Sequence, residues 1–200
     1  VETGTLTNLT PDSRAEDFAP GWTLDGSKIS FLSTDSSSAY GCGPNEEALP
    51  QMKVMNADGT DARIVYDPEF YYPYWQVSMS NSGKIAFVSD MTSRTYEEYY
   101  VDRGVDGGLY VLDLTTNQLV KVSDVRGVWD RIPVWSPDGQ QLAYYNGSGL
   151  SVVDVRTGER IVRGNLRVDS GSIEGRYFWW SPDNQQLAAT VSIDRGYEWL

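Results

Sequence analysis

A five-residue motif occurs four times along this chain. Trp135 to Gly139 reads WSPDG, and degenerate copies begin at Trp22, Met79 and Trp180. The copies start 57, 56 and 45 residues apart, and a short apolar strand such as Leu142-Ala143-Tyr144 follows each one. Self-similar units at this spacing stack on a common core, so the repeat constrains the fold more strongly than length or composition does.

Each interval between copies has the pattern of four antiparallel strands. The motif closes a hairpin, after which comes an alternating apolar strand such as Lys53-Val54-Met55, a polar turn at Asn56 to Thr60, and a further strand at Arg63 to Tyr66. Asn, Asp and Gly are favoured in such turns because they tolerate left-handed backbone angles or bond their own backbone. No window of 11 or more residues has a convincing helical period. The sequence therefore predicts an all-β protein.

Four-stranded antiparallel units repeated every 40 to 60 residues are typical of a β-propeller, in which blades pack face to face around a central axis. The Trp or Met that opens each motif is predicted to pack between neighbouring blades. Pro137 presets φ for the turn, Gly139 accepts a positive φ, and Asp138 caps the turn instead of serving catalysis. The second copy departs from the pattern at Met79 and Asn81, and its turn is one residue short.

We expect residues 1–200 to form one propeller domain or segment with three and a half to four blades. The predicted blades lie at about residues 11–67, 68–124 and 125–164, with a partial blade at about 170–200 and residues 1–10 as the outer strand of the closing or preceding blade. Either a ring of four blades closes by pairing Leu6 to Leu9 with the C-terminal strand, or the chain is a segment of a six- or seven-bladed ring. We expect the second, because an open arc with an apolar terminal strand would expose edges that invite aggregation.

The motifs also carry a family resemblance. Ser136 to Gly139 with Leu142 to Tyr144, and Val54 to Thr60, resemble the WD-like PD repeats of TolB-type propellers. Similar repeats occur in the propeller domains of the tricorn protease and of the prolyl oligopeptidase family. The resemblance covers nearly the whole chain and implies the fold, but propellers of this kind serve many functions.

Composition narrows the choice of partner. A net charge of −12 repels nucleic acid and anionic lipid, and no apolar stretch approaches the roughly 20 residues of a membrane span. A lone cysteine, Cys42, cannot form an internal disulfide. The chain has no histidine, which removes the Ser-His-Asp and Cys-His mechanisms and histidine-based metal sites. We therefore expect no enzyme activity and no cofactor in this chain.

Tyrosines and acidic residues concentrate in the long connections, which the strand order places at the end of the propeller opposite the WSPDG turns. Aromatic anchors with a polar rim are typical of protein interfaces, and loops of this kind usually carry function. The alternative is that these aromatics face the core and the acids form a solvated surface. The candidate binding residues are Glu69, Tyr71, Tyr72, Tyr96, Glu97, Tyr99, Trp129, Asp130 and Arg131.

Asp102 and Asp106 are weak calcium candidates, because their loop has carboxylates and glycines but lacks the alternating ligands and terminal Glu of a calcium loop. The leading hypothesis is a non-catalytic, TolB-like module that binds a protein through its loops outside the cytoplasm, in the periplasm or secreted. One alternative is the propeller domain of a larger serine hydrolase that gates or positions substrate. Another is a carbohydrate-binding or glycan-processing propeller with a glycan or small molecule as ligand.

Overall fold

The computed structural model confirms an all-β chain built from antiparallel sheets. It describes residues 4, 6–11, 15–34, 51–66, 77–89, 106–126, 132–145, 150–161 and 178–189. Three sheets have four strands each, in the orders β1-β2-β3-β4, β5-β6-β7-β8 and β12-β11-β10-β9, and a fourth sheet pairs β13 with β14. Every strand pairs with its neighbour in sequence, as the blades of a propeller require. We number these sheets blade 1 to blade 4.

The strands of the first two blades are β1 (Glu16–Trp22), β2 (Lys28–Thr34), β3 (Gln51–Asn56), β4 (Arg63–Tyr66), β5 (Ser78–Met79), β6 (Lys84–Ser89), β7 (Asp106–Asp113) and β8 (Gln118–Arg126). Those of the last two are β9 (Val134–Trp135), β10 (Gln141–Tyr145), β11 (Leu150–Asp154), β12 (Arg160–Ile161), β13 (Phe178–Trp180) and β14 (Leu187–Ala189).

The blades stack through apolar faces, because alternate residues of a strand point to opposite sides of its sheet. Between blades 1 and 2 the core contains Leu32, Met52, Val54, Val77, Met79, Ile85, Phe87 and Leu112. Between blades 2 and 3 it contains Ala86, Val88, Leu109, Val111, Val125, Trp135, Leu142, Tyr144 and Val153. Both faces of blade 2 are thus buried by its neighbours, as in a propeller with three consecutive blades.

The innermost strands lie side by side, with β5 between β1 and β9 and with β13 next to β9. Trp135, which is only 2% exposed, donates its indole N–H to the backbone oxygen of Ser78 in the preceding blade over 3.0 Å. Trp180 donates in the same way to the oxygen of Val134 over 3.1 Å. The prediction that the first residue of the motif packs between blades is therefore confirmed for Trp135, for Trp180 and for Met79, which is buried. It is wrong for Trp22, which is 58% exposed, because Leu9 and not a described sheet packs against that face of blade 1.

The motif turns also have the predicted geometry. Gly26, Gly83 and Gly139 have φ angles of 69°, 77° and 68°. The backbone N–H of Ser136 bonds the oxygen of Gln141, five residues on, whereas that of Ser80 bonds the oxygen of Lys84, four residues on. The shorter second turn inferred from the sequence is thus confirmed.

One sequence-based expectation concerns the N-terminal residues. Leu6 to Leu9 are not paired with a strand of blade 1; Leu9 packs instead against Ile29, Phe31 and Met55. That residues 1–10 form the outer strand of a closing or preceding blade stays a prediction, because the strand that they would pair with does not lie among the described residues.

Asp106, Gly107 and Gly108 were assigned to a loop, yet they begin β7, where Asp106 is paired with Arg126. Gly108 is needed in the strand. A Cβ atom at Gly108 would lie 2.6 Å from Lys121 Cε and 2.7 Å from the Tyr110 ring. Glycine there permits a close approach of side chains and is not a turn signal.

The link between Trp135 and Ser78 leads to a testable expectation. Replacing Trp135 with alanine should lower the free energy of unfolding by about 3–5 kcal/mol, because a large buried side chain is lost. Trp135→Phe, which keeps most of the volume but not the N–H, should cost about 1–3 kcal/mol. Urea unfolding followed by circular dichroism measures both. Leu24→Ala, at a side chain that is 57% exposed, is the control and should stay within about 0.5 kcal/mol; equal effects at the two sites would contradict this packing.

A second expectation concerns Gly139. Asn184 occupies the corresponding place in blade 4 with φ 58°, so asparagine fits this backbone. Gly139→Ala should cost about 1–2 kcal/mol, because alanine is strained at positive φ, and Gly139→Asn should cost less. Thermal unfolding of the two variants side by side checks the order. If the Gly139→Asn variant is less stable than Gly139→Ala, then the space for a side chain, and not the backbone angle, determines which residues are tolerated at this position.

Candidate functional site

The blades have two unlike ends. At one end, which we call the turn end, the motif turn and the second hairpin turn of each of the first three blades are joined. The N–H of Ala57 bonds the oxygen of Ser27 over 3.0 Å in blade 1, and the N–H of Val155 bonds the oxygen of Gln140 over 2.9 Å in blade 3. The connections between second and third strands and those between blades leave the sheets at the opposite end, the loop end. The turn end is therefore compact and internally bonded.

The aspartates of the turn end are already engaged by their own turns. Asp138 accepts hydrogen bonds from the Ser136 hydroxyl over 2.6 Å and from the Gln140 N–H over 3.0 Å. Asp183 accepts from the Ser181 hydroxyl, and Asp25 accepts from both the hydroxyl and the N–H of Ser27. This is the turn-capping role that the sequence predicts for them. Their lone pairs stabilise the turns and are not positioned for acid–base chemistry.

These hydrogen bonds favour the charged carboxylates. Hydroxyl donation from Thr23 and the N–H and hydroxyl of Ser27 hold the pKa of Asp25 below its usual value. In the second hairpin turns, the Thr60 hydroxyl lowers the pKa of Asp58, and the Thr115 hydroxyl lowers that of Asp113. A general acid would need a raised pKa at neutral pH. The shifts therefore run opposite to those of a catalytic acid.

Two departures from the motif have a structural reason at the turn end. Asn81 stands where the motif has proline, and its side-chain oxygen accepts a hydrogen bond of 3.0 Å from the N–H of Asp25 in blade 1. Asn184 stands where the motif has glycine, and its oxygen accepts a bond of 3.1 Å from the N–H of Asp138 in blade 3. Each asparagine thus ties its turn to the preceding blade.

At the loop end, blade 1 carries a row of polar residues. Asp17 lies directly across from Ser33, and Lys53 donates to the Ser33 hydroxyl over 2.8 Å. Ser33 is buried, and one carboxylate oxygen of Asp17 is buried without a hydrogen-bond partner. A buried acceptor of this kind is costly to leave unpaired and attracts a donor. The row offers a carboxyl, a hydroxyl and an amino group close to where the loops begin.

Aromatic rings form a second feature near the same end. The rings of Tyr66 and Phe87 lie 6.0 Å apart between centroids, and those of Phe87 and Tyr110 lie 5.8 Å apart in a stacked arrangement. Phe87 is fully buried, whereas the two tyrosines are partly exposed. Tyr66 is the last residue of β4, directly before the tyrosine-rich connection. A cluster of aromatic rings therefore lies at the end of β4.

The structure does not place the binding residues predicted from the sequence. Outside the described residues lie Glu69, Tyr71, Tyr72, Tyr96, Glu97, Tyr99, Trp129, Asp130 and Arg131. Asp102 also lies outside them. Asp106 is described through its backbone in β7, so it does not belong to the loop in which calcium binding was considered.

Sequence reasoning missed the polar row of Asp17, Ser33 and Lys53. The available signal was the position of these residues in their strands. Ser33 follows the apolar residues Phe31 and Leu32, and Lys53 shares the face of Phe31, its partner across the strands. Polar residues on the buried face of a strand need partners, which makes them more informative than exposed ones.

Within the described part of the chain, no group of three or more Cys, Asp or Glu residues could hold a metal ion. Nor does that part contain a helix long and apolar enough to cross a membrane.

Comparison with solved structures confirms the class of fold. The chain resembles TolB from Acinetobacter baumannii with a TM-score of 0.58 and 16% identity, covering 92% of this chain and 40% of that one. A putative TolB from Agrobacterium tumefaciens gives a TM-score of 0.51, 12% identity and coverage of 93% and 73%. An oligogalacturonate lyase from Vibrio parahaemolyticus gives a TM-score of 0.54 and 12% identity, covering 94% of this chain and 63% of that one. The chain thus folds as a TolB-like β-propeller, and it spans less than half of the Acinetobacter TolB.

At these identities the likeness shows the fold alone. No protein-family model matches the sequence, and no curated protein matches it closely enough to count as a relative.

The lowered pKa values of the turn aspartates predict how stability depends on pH. A carboxyl whose pKa is lower in the folded chain contributes stability that is fully present above its unfolded pKa, about 3.9, and is lost as pH falls through the folded value. With no histidine to titrate, this loss should be confined to pH below about 4. The triple variant Asp58→Asn, Asp113→Asn, Asp154→Asn should have a shallower decline of melting temperature below pH 4. An unchanged pH profile would contradict the assignment.

Proposed function

We propose that this propeller is a non-catalytic binding or assembly module that contacts a protein partner through its loop end. The observation that supports this most strongly is the asymmetry of the blades. The turn end bonds its own carboxylates and N–H groups and joins neighbouring blades. Every long connection between the described strands leaves from the other end. Rigid scaffolds of this kind usually bind through the elaborated end.

The chemistry of the loop end fits a protein partner. The connection that follows Tyr66 contains Phe70, Tyr71, Tyr72 and Tyr74 together with two acids. Tyr66 itself contacts the ring of Phe87, which stacks on Tyr110. Tyrosine and tryptophan act as anchors in protein interfaces, while charges at the rim set orientation. With a net charge of −12, the module would favour a partner with a basic surface.

The likeness to TolB and the acidity of the chain support a location outside the cytoplasm, which belongs to the same proposal. The absence of histidine from the sequence and the engagement of the turn-end aspartates favour a binding role over catalysis. A second possibility is that the module serves a hydrolase as its propeller domain. A Gly-x-Ser-x-Gly nucleophile elbow in the same native polypeptide would favour that second role.

A glycan ligand is the third alternative, and oligogalacturonate lyases share the fold. An oligogalacturonate is a polyanion, however, and a chain with a net charge of −12 repels it unless cations intervene. A neutral glycan would avoid this repulsion and could stack on the loop tyrosines. Failure of neutral and acidic oligosaccharides to change the melting temperature at millimolar concentration would count against this alternative.

The proposal predicts where a partner touches. A photoreactive benzoylphenylalanine placed at Tyr72 or Tyr99 should crosslink a protein in extracts of the source organism, because both positions lie in loop-end connections. The same group at Arg156, an exposed residue of the turn end, is the matched control and should give no crosslinked band. Mass spectrometry identifies the partner. Equal crosslinking from the two ends, or crosslinks from Arg156 alone, would contradict a binding site on the loop end.

A further inference from the structure

The first blade contains a hydrogen-bonding pair that is incomplete. Asp17 of β1 lies directly across from Ser33 of β2, yet one carboxyl oxygen of Asp17 is buried without a hydrogen-bond partner. Ser33 is buried and accepts a bond of 2.8 Å from the amino group of Lys53, which leaves the hydrogen of its own hydroxyl to donate. Within the described ranges, no atom accepts that hydrogen. The pair therefore offers a free acceptor and a free donor on adjacent strands.

A bulge in β1 brings Asp17 to this position. The strand has one residue more than its partner β2 between Phe18 and Gly21. In a regular register, Phe18 would lie across from Ser33, and Asp17 would turn to the face that packs on blade 2. The bulge strains the backbone, because Ala19 has a φ of 52° although it precedes a proline, where extended angles are preferred. Bulges that re-aim a side chain and backbone strain of this kind both concentrate at functional sites.

The group that completes the pair has to donate to Asp17 and to accept from Ser33. A hydroxyl does both with one oxygen atom, whereas an ammonium group only donates and a carboxylate only accepts. A lysine side chain carries three N–H donors, so Lys53 can bond a second oxygen beside the first. An acceptor followed by two donors matches two adjacent hydroxyl groups, which is the arrangement that a sugar ring presents.

We propose that Asp17, Ser33 and Lys53 bind two adjacent hydroxyl groups of a neutral sugar on the sheet face of blade 1. The first hydroxyl donates to Asp17 and accepts from Ser33, and the second accepts from Lys53. Trp22 lies further along β1 on the same face, across from Ile29, and is 58% exposed. Its indole ring offers an apolar stacking surface to a longer oligosaccharide. This site consists of strand residues and goes beyond the protein contact proposed for the loops.

Other ligands fit this row less well. A basic side chain of a protein partner would meet the amino group of Lys53 and would leave the Ser33 hydrogen without an acceptor. An acidic sugar is repelled by a chain with a net charge of −12. A water molecule can complete the pair in the same way as a hydroxyl, so the experiment has to distinguish a bound sugar from a fixed water.

The probes are the methyl glycosides of glucose, galactose, mannose and N-acetylglucosamine, and binding is measured by saturation-transfer NMR and thermal unfolding. At least one of them should bind at millimolar concentration and raise the melting temperature. Deoxygenated analogues of that sugar should lose binding when either of two adjacent hydroxyls is missing, because a buried polar group is then left unpaired. No binding by any sugar of the panel, or binding that needs no adjacent pair of hydroxyls, would overturn the proposal.

Variants locate the site. Asp17→Asn, Ser33→Ala and Lys53→Met should each weaken binding of that sugar by at least about tenfold, with circular dichroism showing that each variant is folded. The matched control is Lys28→Met, because Lys28 also bonds a polar side chain of β3, Asn56 over 3.0 Å, but at the turn end. The control should bind as the original chain does. Unchanged binding by Asp17→Asn, or an equal loss in the control, would overturn the proposal.

Thermal unfolding without sugar separates a ligand site from a structural role. Asp17→Asn should leave the melting temperature unchanged or raise it, because a buried acceptor without a partner lowers stability. A fall of several degrees would assign Asp17 to the fold, with a fixed water as its partner, and would overturn the proposal. Asp17→Asn should also leave the crosslink from Tyr72 unchanged, so that failure of the sugar site and failure of the protein contact are distinguishable.

Discussion

The hydrogen bond from a motif tryptophan to the inner strand of the preceding blade is the interaction on which the architecture depends. It links the innermost strands of adjacent sheets, and two of these strands, β5 and β9, have only two residues each. So short a strand has few ladder bonds of its own, and the buried indole fixes it against its neighbour. Because the same residue also begins the turn motif, one repeated position sets both the hairpin within a blade and the packing between blades.

The turn end shows why recurring motifs mark structure here and not chemistry. A Ser-Pro-Asp-Gly turn has a hydroxyl, a carboxylate and exposed N–H groups, which are the components of many active sites. In this protein they bond one another: the Ser136 hydroxyl donates to Asp138 and receives the N–H of Gln141. The hydroxyl and this carboxylate oxygen are thus engaged in holding the turn. Residues that the repeat does not specify are therefore the better candidates for binding.

The sequence predicted those parts of the fold that depend on local chemistry. Positive φ at Gly139, the shortened turn after Ser80 and the burial of Trp135 all follow from residues within one motif. Prediction from the sequence failed where residues far apart in the sequence determine the local structure. Gly108 was misjudged because the reason for glycine is the side chain of Lys121 on the next strand, and the polar row at Asp17 depends on pairing across three strands. The candidate binding loops stay predictions, since tyrosine content indicates an interface but not its shape.

The asparagines at the turn end suggest how such a repeat tolerates variation. Asn81 loses the preset φ of proline, and Asn184 takes up a positive φ that glycine would accept with less strain. Each exchange weakens its own turn and adds a bond to the preceding blade. A stabilising contact between blades thus takes the place of a stabilising backbone preference within one blade. A propeller whose blades are tied at both the axis and the turn end can leave its loop end free to vary in sequence, and that freedom is what a recognition surface requires.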